Sequence, residues 1–303
     1  MNGQYREQVK LLVKCLPAIS EENCFALKGG TAINLFYRNL PRLSVDINLA
    51  YIENSPRNEA TENINSALKR ISEKLNKYNI RNIIQRNGEI EKIICFTDKA
   101  KVKIEPNYTN RGSAYPVQKL QTCQKVQAEF GFAEINVLSE PELFGGKICA
   151  ALDRQHPRDL FDVHFMLENN ELNSNIKNGF LIELLSHRRN VTELLQPNQK
   201  DMSEIFKTQF KDMTEFNYSY ENHVQTFCEL VKSVNSFLTD DDKKFLLDFI
   251  SLNEYIAPTG FPDIKNLSAI QWKLLNLKKL KDTDGSKHRE LVLAVYNLLY
   301  GKC

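Results

Sequence analysis

The chain has 303 residues, enough to bury a substantial core and, on length alone, to make two domains or one domain with a large extension. Its 42% hydrophobic and 26% charged residues form the composition of a soluble globular protein. Forty basic residues against 38 acidic ones leave a formal charge of +2, so bulk charge does not argue for a nucleic acid, and any such partner must meet a local patch.

Val9, Leu11, Leu12, Val13 and Leu16 recur at roughly helical spacing and predict a first helix over 4–17. "NCFALKGGTAINLFYRN" then reads as a short strand, a Gly-Gly turn and a helix. "RLSVDINLAY", residues 42–51, reads as a strand: Val45, Ile47 and Leu49 alternate with Ser44, Asp46 and Asn48. Ser55-Pro56 supplies an N-cap and a first-turn proline for an amphipathic helix to about Tyr78. "IRNIIQR", "IEKIICFTD" and "KVKIEPNY", separated by Asn-Gly and Asp-Lys turns, predict a β-meander, and "AEINVL" a further strand. Ser139 caps a helix from Glu140 to about Arg154, and His156-Pro157 breaks it before another begins near Arg158. After about Asn173 the pattern is helical, with clear helices near 219–238, 240–252, 267–281 and 286–300. The expected division is an α/β domain over 1–170 and a helical domain over 171–303.

Cys15, Cys24, Cys95, Cys123, Cys149, Cys228 and Cys303 form no C-x-x-C pair, and an odd, scattered set fits reduced thiols in cytoplasm rather than a disulfide frame or zinc site. The amino-terminal stretch is too charged for a signal peptide, and no apolar run reaches about 18 residues. A cytoplasmic protein with no membrane partner is expected.

Four features carry chemistry. In "LKGGTA", Gly29 and Gly30 end a strand and open a helix; without Cβ atoms the backbone can approach a ligand, and N–H groups at a helix start suit phosphate. Asp46 and Asn48, at i and i+2, share one strand face. Two acids at that spacing would seat a hard divalent cation; one acid and one amide make a weaker seat. In "VKIEPN", Glu105 stands on one face of a later strand and, if that strand lies beside the first, completes the cluster. In "ELFGGKICAALDRQHPRDLFDVHF", Lys147 sits among apolar neighbours on one helix, with Arg158, Asp159 and Asp162 on the next. Taken singly, each has a plain structural alternative: a tight turn, a solvated strand acid or a surface lysine.

In order and spacing, "LKGGTAINLFYRNLPRLSVDINLAY", "KIEPNY" and "LFGGKICAALDRQHPRDLFDVHF" resemble the AbiEii/AbiGii toxin family of nucleotidyltransferases, which includes the mycobacterial MenT toxins. The match spans residues 25–165. The resemblance implies an α+β fold, with a DNA-polymerase-beta-like nucleotidyltransferase domain built on a mixed sheet and followed by a helical domain. It implies Mg²⁺ or Mn²⁺, an NTP substrate and transfer of NMP, in MenT-type members to the 3′ end of tRNA. It also implies a cognate antitoxin and, for AbiE systems, defence against phage. Residue by residue, Gly29, Gly30 and Thr31 match the phosphate-cradling motif and Asp46 the first acid of a D-x-D pair. Ser44 matches a serine before that pair, Glu105 a third metal acid, and Lys147 and Asp159 the functional lysine and aspartate, with Asp162 as the nearby alternative. Arg42 and Arg158 are electrostatic candidates or members of surface ion pairs. The departure is Asn48 in place of the second metal-binding aspartate, which implies weakened metal positioning and an inactivated version of the toxin. A protein NMP-transferase and a non-catalytic nucleotide-binding module are the alternatives.

His156, His164, His187, His223 and His288 lack H-x-x-x-H spacing, and no Gly-x-Ser-x-Gly or Walker A loop occurs. "WKLLNLKKLK" from Trp272 and "HRR" at 187–189 read either as structural segments with solvated basic faces or as tRNA contacts.

Overall fold

In the computed structural model, which describes residues 3–301, the strands form one sheet. They are β1 (Phe25–Lys28), β2 (Asp46–Tyr51), β3 (Arg81–Asn87), β4 (Ile90–Phe96), β5 (Lys101–Arg111), β6 (Gln118–Gln121) and β7 (Glu134–Val137), in spatial order β3-β4-β5-β2-β1-β7-β6. The meander β3-β4-β5 is antiparallel, as its turns imply. Strand β5 runs parallel to β2 and β1 parallel to β7, while β1–β2 and β6–β7 are antiparallel, so the sheet is mixed and the fold is α+β.

Helices α1 (Gly3–Ser20) and α3 (Arg57–Lys77) pack on this sheet. Helix α3 buries Ala60, Ile64, Ala67, Leu68, Ile71 and Leu75 at helical spacing. Its side of the sheet is marked by Asn82, whose amide meets Ser72 and Asn76, and by the buried register row Ile93, Ile104 and Ile47. Alternation at period two therefore leaves Arg81, Ile83, Lys92, Lys103, Asp46 and Asn48 on the opposite face. Helix α2 (Gly29–Ala32) continues as a π-helical turn over Ile33–Tyr37, and α4 (Gln124–Glu129) lies between β6 and β7.

Two local expectations are corrected. The strand begins at Asp46 rather than residue 42, because Leu43 N–H donates to the Met213 carbonyl (2.7 Å) and Arg42 bridges Thr214 outside the sheet. Ser55 does not cap α3: Pro56 is the cap residue, and the Ser55 hydroxyl lies 3.5 Å from that of Tyr51. Strand β6 and helix α4 carry no periodic pattern long enough to read. The caps at His156, Ser219 and Thr239 stand where the helix starts were expected, each accepting a backbone N–H.

The chain divides into two compact units that differ from the boundary expected at 170. One runs through Ser139 and takes in Ser203–Tyr218, which contains α9 (Ser203–Gln209); the other comprises Glu140–Met202 and the chain from Ser219 onward. The second unit is helical: α5 (Glu140–Arg154), α6 (Pro157–Glu168), α7 (Ser174–Ser186), α8 (Val191–Leu195), α10 (Tyr220–Phe237), α11 (Asp240–Ser251), α12 (Ser268–Thr283) and α13 (Gly285–Tyr300). The difference has a local cause. Helices α5 and α7 approach backbone to backbone, so a Cβ at Gly145 would lie 2.3 Å from the Gly179 carbonyl carbon, and one at Gly179 would lie 1.9 Å from the Pro141 oxygen. Helix α5 thus belongs with the helices that follow it, not with the sheet.

This close approach is testable. Gly179→Ala should destabilise the protein by about 1–3 kcal/mol or more, the usual cost of overpacking. Gly146→Ala, whose added methyl meets only the Glu183 side chain at an ordinary 3.6 Å, should be near neutral. Urea midpoints compare the two.

Candidate active site

The first unit assembles its polar site from strand register. Lys28 pairs with Asn48 across β1 and β2, and Asn48 with Glu105 across β2 and β5, while Asp46 pairs with Lys103. Asp46, Asn48 and Glu105 therefore share the sheet face turned away from α3. Gly29, with φ of +74°, follows Lys28, and a Cβ there would sit 3.6 Å from Asn48 Nδ2, so the Gly-Gly turn lies directly against the amide.

The turn is backed by a buried polar network. The Thr31 hydroxyl donates to the Asp46 carbonyl (2.6 Å) and lies 2.9 Å from Ser44 Oγ, tying the start of α2 to β2. Asn34 Nδ2 donates to the Gly30 carbonyl (2.9 Å). Arg42 is 1% exposed, which removes the surface ion-pair alternative; its Nη1 donates to the Leu43 carbonyl (3.0 Å). A Cβ on Gly30 would lie 2.5 Å from Arg42 Nη2 and 3.2 Å from Ser44 Oγ, so glycine there admits the guanidinium. Thr31 and Ser44 thus act as ties within the site wall. The side chain of Lys28, the N-cap residue of α2, does not cap that helix start.

Lys92 reaches Glu105 at 3.3 Å. Lys28, Lys92 and Lys103 were not singled out in the sequence, because period-two alternation gives a residue's face but not its cross-strand partner. Two carboxylates and one amide are interleaved with three lysines. Among the described residues, no group of three or more His, Cys, Asp or Glu side chains is placed to hold a metal ion. Asp46 and Asn48, at i and i+2 on one face with Glu105 in register beside Asn48, are the oxygen-bearing side chains that this face offers.

The second unit contains a buried ion network. Lys147 Nζ donates to Asp159 Oδ1 (2.7 Å) and lies 2.9 Å from Asp162 Oδ2, with all three side chains at most 5% exposed. Arg154, not singled out in the sequence, donates from Nε to Asp159 Oδ2 (2.5 Å) and from Nη2 to Oδ1 (3.0 Å). Burial works against ionisation of Asp159, but the Lys147 and Arg154 charges outweigh it and hold the carboxyl well below the usual carboxylate range. Both carboxylate candidates grip the lysine, so Asp159 and Asp162 are joint partners. Arg158 lies half-buried in the first turn of α6, its N–H accepted by His156 Nδ1 (3.1 Å).

The two ambiguous basic segments meet within this unit. Lys273 donates to the carbonyls of His187 (2.7 Å) and Arg189 (2.9 Å), and burial lowers its pKa to about 8. Arg189 is paired with Asp153 (2.5 Å). Lys273 and Arg189 therefore hold structure, while Trp272 at 60% exposure faces solvent.

The fold is that of a nucleotidyltransferase. It is similar to MenT4, a nucleotidyltransferase toxin from Mycobacterium tuberculosis H37Rv, with a TM-score of 0.59 and 12% identity over 91% of this chain and 95% of that one. In sequence, residues 10–233 match the nucleotidyl transferase AbiEii toxin family of type IV toxin–antitoxin systems, and the chain belongs to that family. No curated protein matches the chain. Among the described residues, no helix is long and apolar enough to cross a membrane.

Two outcomes follow from the buried network. Lys147→Ala removes the buried cation that Asp159 and Asp162 share and should cost about 3–5 kcal/mol, the usual penalty for stripping one partner from a buried pair, measured by denaturant unfolding. Because the folded-state pKa of Asp159 is depressed, its contribution is full above the unfolded value of about 3.9 and is lost as pH falls through the folded value. Asp159→Asn should therefore flatten the decline in Tm below about pH 4.

Proposed function

We propose that this toxin-family nucleotidyltransferase moves NMP from an NTP to the 3′ end of tRNA in a Mg²⁺- or Mn²⁺-dependent reaction, that a cognate antitoxin opposes it, and that Asn48 holds this chain at low activity. The observation carrying the reading is the register that sets Asn48 between Glu105 and the Gly29-Gly30 turn.

In this reading the triphosphate lies along the Gly-Gly turn, where backbone N–H groups approach it without a Cβ in the way. The acceptor hydroxyl oxygen bonds to the α-phosphorus, the bond to the β-phosphate oxygen breaks, and pyrophosphate leaves while the hydroxyl proton passes to solvent. A bound divalent ion would neutralise phosphate charge and lower the pKa of the attacking hydroxyl. Asp46, the Asn48 amide oxygen and Glu105 would hold it. Lys28 and Lys103, the register neighbours of Asn48 and Asp46, offset charge on the phosphates. Lys147, held by Asp159 and Asp162, is the functional lysine that the family resemblance implies, and Arg158 remains an electrostatic candidate.

A second reading, a nucleotide-binding module without catalysis, is favoured by the same amide and by Lys92, which already occupies Glu105. Phosphorus-labelled NTPs incubated with tRNA and with total protein separate the two. Asn48→Asp should raise metal-dependent labelling of tRNA by about 10²-fold or more, as restoring a preorganised charge partner does. Chelator should abolish the signal, and so should Lys147→Met in that background, with circular dichroism confirming the fold. Label on protein in place of tRNA reassigns the acceptor. If Asn48→Asp labels neither and leaves growth of the expressing cell untouched, the binding-module reading replaces the transferase.

A further inference from the structure

The sheet face that carries Asp46, Asn48 and Glu105 does not end at β5. Register continues it outward across the meander. One row runs Asp46, Lys103, Ile94, Ile83, and the next, two residues along, runs Lys101, Phe96, Arg81. Helix α3 packs against the other face, so these side chains are turned away from it. Lys101 and Lys103 are exposed, Ile83 is 55% exposed, and Lys92 and Phe96 are half-exposed.

Charge and chemistry on this face are one-sided. The meander contributes Lys92, Lys101, Lys103 and Arg81 to this face along with one acid, Glu105, while Glu91 of β4 lies on the other face, in a chain whose total charge is only +2. The outer row places Phe96 between two cations, and the Arg81 guanidinium lies 5.4 Å from its ring centroid. Asp98, in the turn after β4, pairs with Arg81 from outside the sheet. Adjacent strands are about 4.8 Å apart and same-face residues about 6.6 Å, so the outer row lies about 16–23 Å from the Gly-Gly turn. That span suits several nucleotides approaching one reacting hydroxyl.

We propose that the open face of β3-β4-β5 is the acceptor platform: a polynucleotide strand lies across it, phosphates on Lys101, Lys103 and Arg81 and a base against Phe96, with its terminal hydroxyl delivered toward Asp46. This rests on the nucleotidyltransferase reading and adds the acceptor's location. Lysines that track a backbone beside an aromatic ring are the chemistry of sequence-tolerant single-strand binding. An acidic protein segment would use the lysines but leave Phe96 and the graded approach to the site without a role.

The test measures binding of fluorescently labelled tRNA by the full chain, apart from any transfer. Arg81→Glu/Lys101→Glu, far along the strands from the nucleotide turn, should weaken tRNA binding by about tenfold or more. Neutral Arg81→Gln/Lys101→Gln should reduce the slope of log affinity against log salt by about 1.4, two single-strand phosphate contacts. NTP binding should be unchanged in both. Lys278→Glu/Lys279→Glu on α12, an exposed basic pair elsewhere, should leave tRNA binding intact. Unchanged affinity and slope in the meander variants overturn the platform, and so does a parent chain that binds no tRNA. The transferase reading fails separately, when Asn48→Asp labels no acceptor even though tRNA binding is retained.

Discussion

The polar face of Asp46, Asn48 and Glu105 depends on the pairing of β2 with β5. Because these strands run parallel with Asn48 opposite Glu105, two residues 57 positions apart in sequence stand side by side on a face that the core does not use. A slip of one residue would bury Asp46 and Asn48 and expose Ile47 and Leu49. That outcome is resisted by the row Ile93, Ile104, Ile47, each fully buried, so the hydrophobic face enforces the geometry of the polar one. The Thr31 hydroxyl on the Asp46 carbonyl then brings the Gly-Gly turn to the same place.

The amide at 48 changes what this geometry can hold. Asn keeps the size of Asp and one carbonyl oxygen but gives up a charge, and it does so in a row where Lys28 and Lys92 flank the remaining donors. With aspartate, the row would alternate cation, anion, anion, cation. With asparagine, the cations outnumber the anions. In the proposed reading this balance favours a polyanion such as a triphosphate over concentrating divalent ions.

The sequence revealed periods, caps and motifs, and these are local. Alternation in "SVDINL" and "VKIEPN" gave the face of Asp46, Asn48 and Glu105, and helical patterning gave the helices near 219–238 and 240–252, at whose starts the caps Ser219 and Thr239 stand. The resemblance gave the fold class. What was hidden is non-local. Lys28, Lys92 and Lys103 became part of the site through register, and Arg154 joined Lys147 and Asp159 through the turn of the chain at His156-Pro157. Arg42 stayed open between an electrostatic candidate and a surface ion pair because nothing in "LPRLS" signals the space left by Gly30. Helix α5 groups with the later helices through its glycine contact with α7, which no local pattern in the sequence announces.

In the proposed reading, Asn48 lies in a nucleotide site whose metal seat is under-charged. Calorimetric titration of an NTP into the parent chain and into Asn48→Asp, each with Mg²⁺ and with chelator, tests it most directly. The parent should bind NTP with little dependence on Mg²⁺, and Asn48→Asp should bind at least about tenfold more tightly with Mg²⁺ than without, a difference of about 1.4 kcal/mol. Equal dependence on Mg²⁺ in the two proteins would contradict the claim.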